Sequence, residues 1–208
     1  MLIIKRFMVG AIETNCYAVS CPDTRETVVV DPGDYDPSLA SYLREEELTV
    51  KYIINTHSHF DHTGGNKKLK EATGAPLLIH RAEADVLPRI GQLALMFGLR
   101  VDASPRPDAF LAEGDEVTFG NVTLKVLETP GHSPGSITLY TDNVAFVGDT
   151  LFAGSIGRTD LPGGSYRTLI ESINNKILPL GDDIIVYSGH GPETTVAHEK
   201  LYNPFLRG

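Results

Sequence analysis

One short stretch, residues 56–65, decides how the rest of the chain is interpreted; it reads Thr-His-Ser-His-Phe-Asp-His-Thr-Gly-Gly. It follows residues 50–55, an apolar run with the length and composition of a buried β-strand. His57 and His59 are two positions apart, so their side chains point to the same side of an extended segment. The strand is therefore predicted to end in a pair of imidazoles that face one way.

A second pair of candidate ligands, Asp61 and His62, follows at once. One segment can thereby offer ligands to two neighbouring metal ions, and imidazole combined with carboxylate suits Zn, Fe or Mn rather than Ca or Mg. Asp61 also stands where an N-cap is expected if a helix begins near Gly64. A purely structural role for all four side chains is disfavoured, because each imidazole buried in a core needs its own hydrogen-bond partner.

The composition is that of a globular protein, and residues 1–208 are expected to form a single domain. The formal net charge is −9 and the cationic residues form no run, which argues against a nucleic-acid partner. No stretch approaches the length of a membrane span. The first residues lack the basic, apolar and small-residue order of a signal peptide, so we expect a cytoplasmic location. Cys16 and Cys21 are expected to be buried free thiols.

Apolar periodicity and turn residues predict groups of strands and helices along the chain. Strands are predicted over residues 2–9, 15–20, 27–31, 50–55, 76–80, 116–119, 122–127, 137–140, 144–147 and 184–187. Helices are predicted over residues 37–47 with Asp36 as the cap, and over 66–73, 165–178 and 195–202. Residues 82–98 are apolar and helix-prone but are interrupted by Pro88 and Gly91. We expect this segment to pack against the core, with a lid or substrate wall as the alternative.

Three further candidate ligands, His132, Asp149 and His190, share one arrangement. Each follows a predicted strand and comes directly after a glycine, which permits a tight turn and a close backbone approach. Because α/β sheets bind ligands beyond the carboxyl ends of their strands, these side chains are expected to join those of residues 56–65. The two remaining histidines are expected not to be ligands.

Taken together, these positions resemble the ligand pattern of the metallo-β-lactamase superfamily: His-x-His-x-Asp-His at 57–62, then His132, Asp149 and His190. The resemblance covers almost the whole chain and implies a mixed α/β fold, a four-layer αββα sandwich. Four further motifs are similar to the short glyoxalase II-like (hydroxyacylglutathione hydrolase-like) hydrolases. They are GDTLF at 148–152, GRTDLPGG at 157–164, SGHGPETT at 188–195 and NPF at 203–205.

This resemblance implies two divalent metal ions per chain, with zinc expected and iron or manganese as alternatives. It assigns His57, His59 and His132 to the first metal and Asp61, His62 and His190 to the second, with Asp149 bridging them. The implied activity is hydrolysis of glutathione-type thioesters, such as S-D-lactoylglutathione, by attack of a metal-bridging hydroxide. In this mechanism Asp61 and Asp149 orient the nucleophile and take its proton. The physiological acyl group and the oligomeric state stay open.

Arg158 and Tyr166, which follow the strand that leads to Asp149, are candidates for contact with an anionic substrate. Arg158 is equally well placed for a surface or structural ion pair. Glyoxalase II proper continues into a C-terminal helical region that supplies much of its glutathione-binding surface, whereas this chain ends about eighteen residues after His190. The resemblance therefore supports the core chemistry better than it supports the substrate.

The main alternative is a mononuclear Fe(II) glutathione persulfide dioxygenase, which would use His57, His132 and Asp149 as a 2-His-1-carboxylate triad. That group shares the Gly-Arg-Thr-Asp stretch, whereas the Gly-His-Gly-Pro context of His190 and the Pro-Gly-Gly after Leu161 favour the hydrolase. A nuclease of the same superfamily would need a basic surface, and a periplasmic β-lactamase would need a signal peptide. A site whose metals only stabilise the fold would have a closed coordination shell and no pocket.

Overall fold

The structure is a computed structural model and describes residues 2–207. Its strands are β1 (Ile3–Val9), β2 (Thr14–Ser20), β3 (Glu26–Val30), β4 (Thr49–Ile54), β5 (Leu77–His80), β6 (Ala109–Leu111), β7 (Glu116–Phe119), β8 (Val122–Glu128), β9 (Ile137–Thr141), β10 (Val144–Gly148), β11 (Leu151–Phe152), β12 (Ser155–Ile156), β13 (Ile185–Ser188) and β14 (Thr194–Thr195). Its α-helices are α1 (Pro37–Glu45), α2 (Phe60–Thr63), α3 (Asn66–Thr73), α4 (Ile90–Met96), α5 (Tyr166–Ser172) and α6 (Val196–Tyr202).

The first six strands form one sheet in chain order, β1-β2-β3-β4-β5-β6. The first three strands pair antiparallel, as their short turns predict, and β3 to β6 pair in parallel. Parallel neighbours require a crossover, which α1 provides between β3 and β4 and α3 provides between β4 and β5. The carboxyl ends of β3 and β4 therefore lie side by side.

The second large sheet has the order β14-β13-β10-β9-β8-β7. Both predicted hairpins are confirmed, since β7 pairs antiparallel with β8 and β9 with β10. β10 and β13 run parallel, and Gly148 at the end of one is the register partner of Ser188 at the end of the other. The residues that follow these two strands consequently leave the sheet next to each other.

Apolar side chains of the two sheets face each other and form the central core. Along β10, Val144 and Phe146 point into this core, whereas Ala145 and Val147 point to the opposite face. Helices cover both outer faces: α1 and α3 pack on the first sheet, and α5 and α6 pack on the second. Each fully buried aliphatic side chain contributes about 1.5–3 kcal/mol to this packing. The layers confirm the predicted αββα sandwich.

Two local predictions are wrong. Asp61 does not cap a helix; it lies in the first turn of α2, whose N-cap is His59, and Gly65 precedes α3. The helix predicted over residues 165–178 is α-helical only in α5 and continues as a π-helical segment, Ile173–Ile177, and a 3₁₀ turn, Leu178–Leu180. Pro179 in that turn has no N–H to donate, so a regular helix cannot continue there. The predicted cap of α1 is confirmed, because Asp36 accepts a hydrogen bond from the Ser38 N–H at 2.7 Å.

Residues 82–98 form a broken helix, as the sequence predicts. The segment comprises two 3₁₀ turns, Arg81–Glu83 and Leu87–Arg89, followed by α4. Its inner residues are buried, but three apolar residues at its end are exposed: Leu95, Met96 and Phe97. Among residues 2–207, no helix has the length and apolar character needed to cross a bilayer.

Candidate metal centre

Four strands end at one edge of the sandwich and place candidate ligands there. β4 in the first sheet leads to His57, and in the second sheet β8, β10 and β13 lead to His132, Asp149 and His190. The structure brings all seven predicted ligands into three overlapping groups, each with ligand atoms within 4.8 Å of one another. The groups are His57/His59/His132, His57/His62/Asp149 and Asp61/His62/His190.

The first group consists of three imidazoles whose nitrogens face one point. His57 Nε2 lies 3.1 Å from His59 Nδ1 and 3.2 Å from His132 Nε2, and the other two nitrogens are 2.8 Å apart. A tetrahedral Zn²⁺ with Zn–N bonds of about 2.0–2.1 Å separates its ligand nitrogens by about 3.3 Å. The three rings are therefore arranged as a facial set of nitrogen ligands for one metal.

Asp61, His62 and His190, called the second group from here on, combine a carboxylate with two imidazoles. Asp61 Oδ2 lies 3.2 Å from His190 Nε2 and 3.5 Å from His62 Nε2. The same oxygen accepts a hydrogen bond from the Thr14 hydroxyl at 3.2 Å, which holds the carboxylate from the start of β2. This arrangement offers one oxygen and two nitrogens to a second cation.

Asp149 lies between the two groups. Its Oδ1 is 3.3 Å from His62 Nε2, and its Oδ2 is 3.6 Å from His132 Nε2 and 3.7 Å from His190 Nε2. One carboxylate therefore reaches nitrogens of both groups. This is the position that a bridging ligand requires.

Two imidazoles of the first group, those of His57 and His59, are held neutral. Burial is the main cause that lowers the pKa of His57 well below its ordinary value, and the neighbouring imidazoles add to this effect. Burial, followed by the electrostatic effect of the neighbouring His132 ring, lowers the pKa of His59 to about 4. Neutral rings at pH 7 present the lone pairs that metal binding requires.

The second group has the opposite electrostatic character. Burial opposes a charge on His62, but the carboxylates of Asp149, Asp61 and Asp31 raise the pKa of this imidazole well above its ordinary value. Burial also opposes charges on Asp61 and Asp149, yet the nearby imidazoles, His62 foremost, hold the pKa of both carboxyls below the usual range. The carboxylates thus create a field that favours a cation in this position.

Two buried atoms show that the residues fit such cations. Within the part of the chain that the structure describes, His62 Nε2 and Asp149 Oδ1 are the buried side-chain atoms without a hydrogen-bond partner. Buried polar atoms are nearly always paired with a hydrogen-bond partner. This nitrogen and this oxygen lie 3.3 Å apart, so one bound group could interact with the lone pairs of both. A divalent cation does so, and the nitrogen and carboxylate donors suit Zn, Fe or Mn.

Sequence analysis missed Asp31, a buried carboxylate at the end of β3. Its Oδ2 lies 3.0 Å from His62 Nδ1, and it accepts hydrogen bonds of 2.7 Å from both the N–H and the hydroxyl of Thr56. The Thr56 hydroxyl in turn lies 3.1 Å from His57 Nδ1. Asp31 therefore fixes rings of both groups, and its place as the last residue of a predicted strand was the available signal.

The predicted substrate contacts lie beside the centre rather than in it. The Arg158 carbonyl accepts a hydrogen bond from His132 Nδ1 at 2.8 Å, which turns His132 Nε2 towards the other ligands. The Arg158 guanidinium forms a bidentate ion pair with Asp160 at 2.7 and 2.8 Å. Tyr166 is exposed at the start of α5. Contact of either side chain with a substrate stays a prediction.

The loop that carries His190 is held by β2, a link that sequence analysis also missed. Asn15 Nδ2 donates to the carbonyls of Ser188 and Gly191 at 2.9 and 2.8 Å, and the Tyr17 hydroxyl donates to the Ser188 carbonyl at 2.6 Å. Burial raises the pKa of Tyr17, so the hydroxyl keeps the proton that it donates. These bonds fix the distance between the two sheets at the centre.

The residues expected to lie outside the centre do so. His80 Nε2 lies 3.1 Å from Glu128 Oε1, and the His198 ring packs against Tyr202 with a centroid distance of 4.9 Å. Cys16 and Cys21 are buried free thiols, as predicted.

The fold and the site together define a class of protein: an αββα sandwich with a histidine- and aspartate-lined centre at the edge where strands of both sheets end. The family model described as the metallo-beta-lactamase superfamily matches residues 9–190, and the chain belongs to that superfamily.

Two relatives match the chain over almost its whole length. The probable metallo-hydrolase YqgX of Bacillus subtilis is 40% identical, with 98% of this chain and 97% of the relative covered. The hydroxyacylglutathione hydrolase GloC of Haemophilus influenzae is 38% identical, with 95% of each covered.

Solved structures agree with this assignment. BLEG-1 B3 metallo-beta-lactamase has a TM-score of 0.92 and 40% identity, covering 99% of this chain and 100% of the other. TTHA1623 in a di-iron-bound form has a TM-score of 0.89 and 35% identity, with 97% and 100% covered. ETHE1 from Myxococcus xanthus has a TM-score of 0.79 and 27% identity, with 97% and 83% covered.

Proposed function

We propose that the protein is a binuclear metal-dependent hydrolase of glutathione-type thioesters, such as S-D-lactoylglutathione. The observation that carries the proposal is the position of Asp149, whose two oxygens lie 3.3–3.7 Å from nitrogens of both ligand groups. A single ligand group could bind only one metal ion, whereas two neighbouring groups that share the Asp149 carboxylate could bind two.

In this proposal the residues keep the roles that the resemblance implies. His57, His59 and His132 would hold the first metal, Asp61, His62 and His190 would hold the second, and Asp149 would be shared by both. When bound, the metals would supply an activated water and would polarise the substrate carbonyl. Asp61 and Asp149 are ionised near neutral pH, because their pKa values lie below the usual range, so each can accept a hydrogen bond and orient a water. Hydrolysis then yields a carboxylate and a thiol.

The relatives support a thioester as substrate. GloC bears the name of a hydroxyacylglutathione hydrolase and is covered to 95% of its length. The two proteins can therefore be compared over almost their whole lengths. For the metal, the di-iron form of TTHA1623 supports iron beside the zinc expected from the donor set.

The test compares wild-type protein with His190→Ala, using His198→Ala as the matched control because that histidine is exposed and lies outside the centre. Protein loaded separately with Zn, Mn or Fe is assayed for metal content and for turnover of several thioesters. We expect His190→Ala to retain about one metal per chain and to lose at least about 100-fold in turnover, more than the loss of an outer hydrogen-bond partner causes. Wild-type turnover in His190→Ala would contradict the two-metal proposal.

A mononuclear Fe(II) glutathione persulfide dioxygenase is a second candidate. His57, His132 and Asp149 do meet, with nitrogen–nitrogen and nitrogen–oxygen distances of 3.2 and 3.6 Å from His132 Nε2. The chain is also similar to ETHE1 from Myxococcus xanthus. The hydrolase is preferred because a mononuclear site leaves Asp61 and His190 without a role. Oxygen consumption by iron-loaded protein with glutathione persulfide, in place of thioester turnover, would reverse this preference.

The similarity to BLEG-1 makes β-lactam hydrolysis a further candidate, since activated water also attacks an amide carbonyl. A thioester is the better fit because a thiolate leaves more readily than an amine. A chromogenic cephalosporin belongs in the same assay panel. Faster turnover of the cephalosporin than of every thioester would overturn the proposed substrate class while leaving the metal centre intact.

A further inference from the structure

A buried carboxylate that belongs to no ligand group contacts the two chain segments that carry the three imidazoles. Glu83, at the end of the first 3₁₀ turn of the broken-helix segment, is 2% exposed. Its Oε2 accepts hydrogen bonds from the Ser58 N–H at 3.2 Å and from the Ser58 hydroxyl. Its Oε1 accepts one from the Gly135 N–H at 2.7 Å.

The two segments that Glu83 holds are those that carry the first ligand group. Ser58 stands between His57 and His59, after a strand of the first sheet. Gly135 lies three residues after His132, in the connection between β8 and β9 of the second sheet. One side chain thus joins the ligand segments of both sheets through hydrogen bonds to a carboxylate, which are stronger than neutral ones.

Gly135 provides independent support for a built contact. A Cβ at this position would lie 2.8 Å from Glu83 Cγ, 3.0 Å from Glu83 Oε1 and 2.6 Å from His80 Nδ1. Only a glycine lets the backbone approach the carboxylate this closely without a shift. A glycine at position 135 is therefore what allows the Gly135 N–H to reach the Glu83 carboxylate.

We propose that Glu83 is a positioning residue for the three-histidine group: by tying Ser58 to Gly135 it fixes how far His132 stands from His57 and His59. This inference rests on the proposed metal centre. Glu83 sets the affinity of the first metal through the backbone of the ligand segments, without touching a ligand ring. The hydrogen bonds from Asp31, Thr14 and Asn15 that hold the second group do not involve Glu83, so the affinity of the second metal should not depend on Glu83.

The test uses Glu83→Gln, which keeps the side-chain volume but places an NH₂ against one of the N–H donors. Asp85→Asn is the matched control, because Asp85 is exposed two residues further along the same segment. Chelator competition measures the affinities of both metals, and the visible spectrum of the Co(II)-loaded protein reports the geometry of the first site. We expect Glu83→Gln to bind the first metal about 10- to 100-fold more weakly with an altered Co(II) spectrum, and the second metal unchanged.

Ser58→Ala provides a second variant should Glu83→Gln fail to fold, since it removes one hydroxyl and leaves the backbone bond. It should weaken the first metal by up to about tenfold. First-metal affinity and a Co(II) spectrum equal to those of Asp85→Asn, with only a lower unfolding temperature, would overturn the inference and leave a packing role. A wild-type protein that binds one metal or none would instead overturn the proposed function.

Discussion

Asp31 offers the sharpest test of how the centre is held. It is 2% exposed, and its carboxylate bonds the N–H and hydroxyl of Thr56 at 2.7 Å and the His62 ring at 3.0 Å. Asp31→Ala removes all three bonds and leaves His62 with fewer carboxylates around a buried, cationic ring. Removing one partner of a buried ion pair costs about 3–5 kcal/mol. For a domain of this size that corresponds to a fall in Tm of about 6–20 °C.

The assay is urea and thermal unfolding of the metal-free protein, followed by chelator competition for the second metal. Asp31→Asn retains one acceptor and should lose about 1–3 kcal/mol. The control is Asp34→Asn, because Asp34 is exposed and lies three residues away. In the metal-bound protein Asp31→Ala should weaken the second metal about 10- to 100-fold, since His62 loses the partner of its other ring nitrogen. An Asp31→Ala protein within about 1 kcal/mol of wild type and with unaltered metal affinity would refute the reasoning.

Two further predictions concern the backbone and the pH dependence. Gly148 has φ +51° and a Cβ there would lie 2.3 Å from Thr56 Oγ1, whereas Gly74 has φ +70° with no atom within 4 Å of such a Cβ. Both alanine variants have the strain of a left-handed backbone, but only Gly148→Ala also makes a steric clash with Thr56. Gly148→Ala should therefore lower the free energy of unfolding by about 1–3 kcal/mol more than Gly74→Ala does. Equal losses in urea unfolding would contradict the contact with Thr56. In the metal-free protein the pKa of His59 is lowered from 6.5 to about 4. Between pH 6.5 and pH 4 the unfolded chain binds a proton at this ring and the folded chain does not. The free energy of unfolding therefore falls by about 1–3 kcal/mol as the pH falls through this range. The raised pKa of His62 acts at higher pH: its contribution is complete below about pH 6.5 and is lost as the pH rises through the folded-state pKa. Urea unfolding from about pH 4.5 to 8 should therefore show a maximum near pH 6.5 and a weaker acid limb in His59→Asn, and a flat profile would refute these assignments.

The ligand set could be predicted from the sequence because its signals are local. His57, His59, Asp61 and His62 stand within six residues, and the more distant candidates each follow a strand that ends at a glycine. The structure brings all of them into three overlapping groups, each with ligand atoms within 4.8 Å of one another. Hairpins could be predicted for the same reason, since period-two apolar patterns and turn residues act over a few positions. The αββα layers were instead implied by the resemblance of the ligand pattern to the metallo-β-lactamase superfamily. The change from α-helix to π-helix at Ile173 could not be predicted, because residues 165–178 carry an apolar helical pattern throughout.

The sequence by itself therefore determined which side chains are chemically suited to a metal centre and which strand ends present them. Only the tertiary structure decided how those side chains are held. Asp31 reaches Thr56 across 25 residues, Glu83 reaches Gly135 across 52, and Asn15 reaches Gly191 across 176. Such bonds depend on strand order and on the packing of one sheet against the other. No local pattern records either, because the hydrogen-bonding groups of distant residues become neighbours only after both sheets have formed.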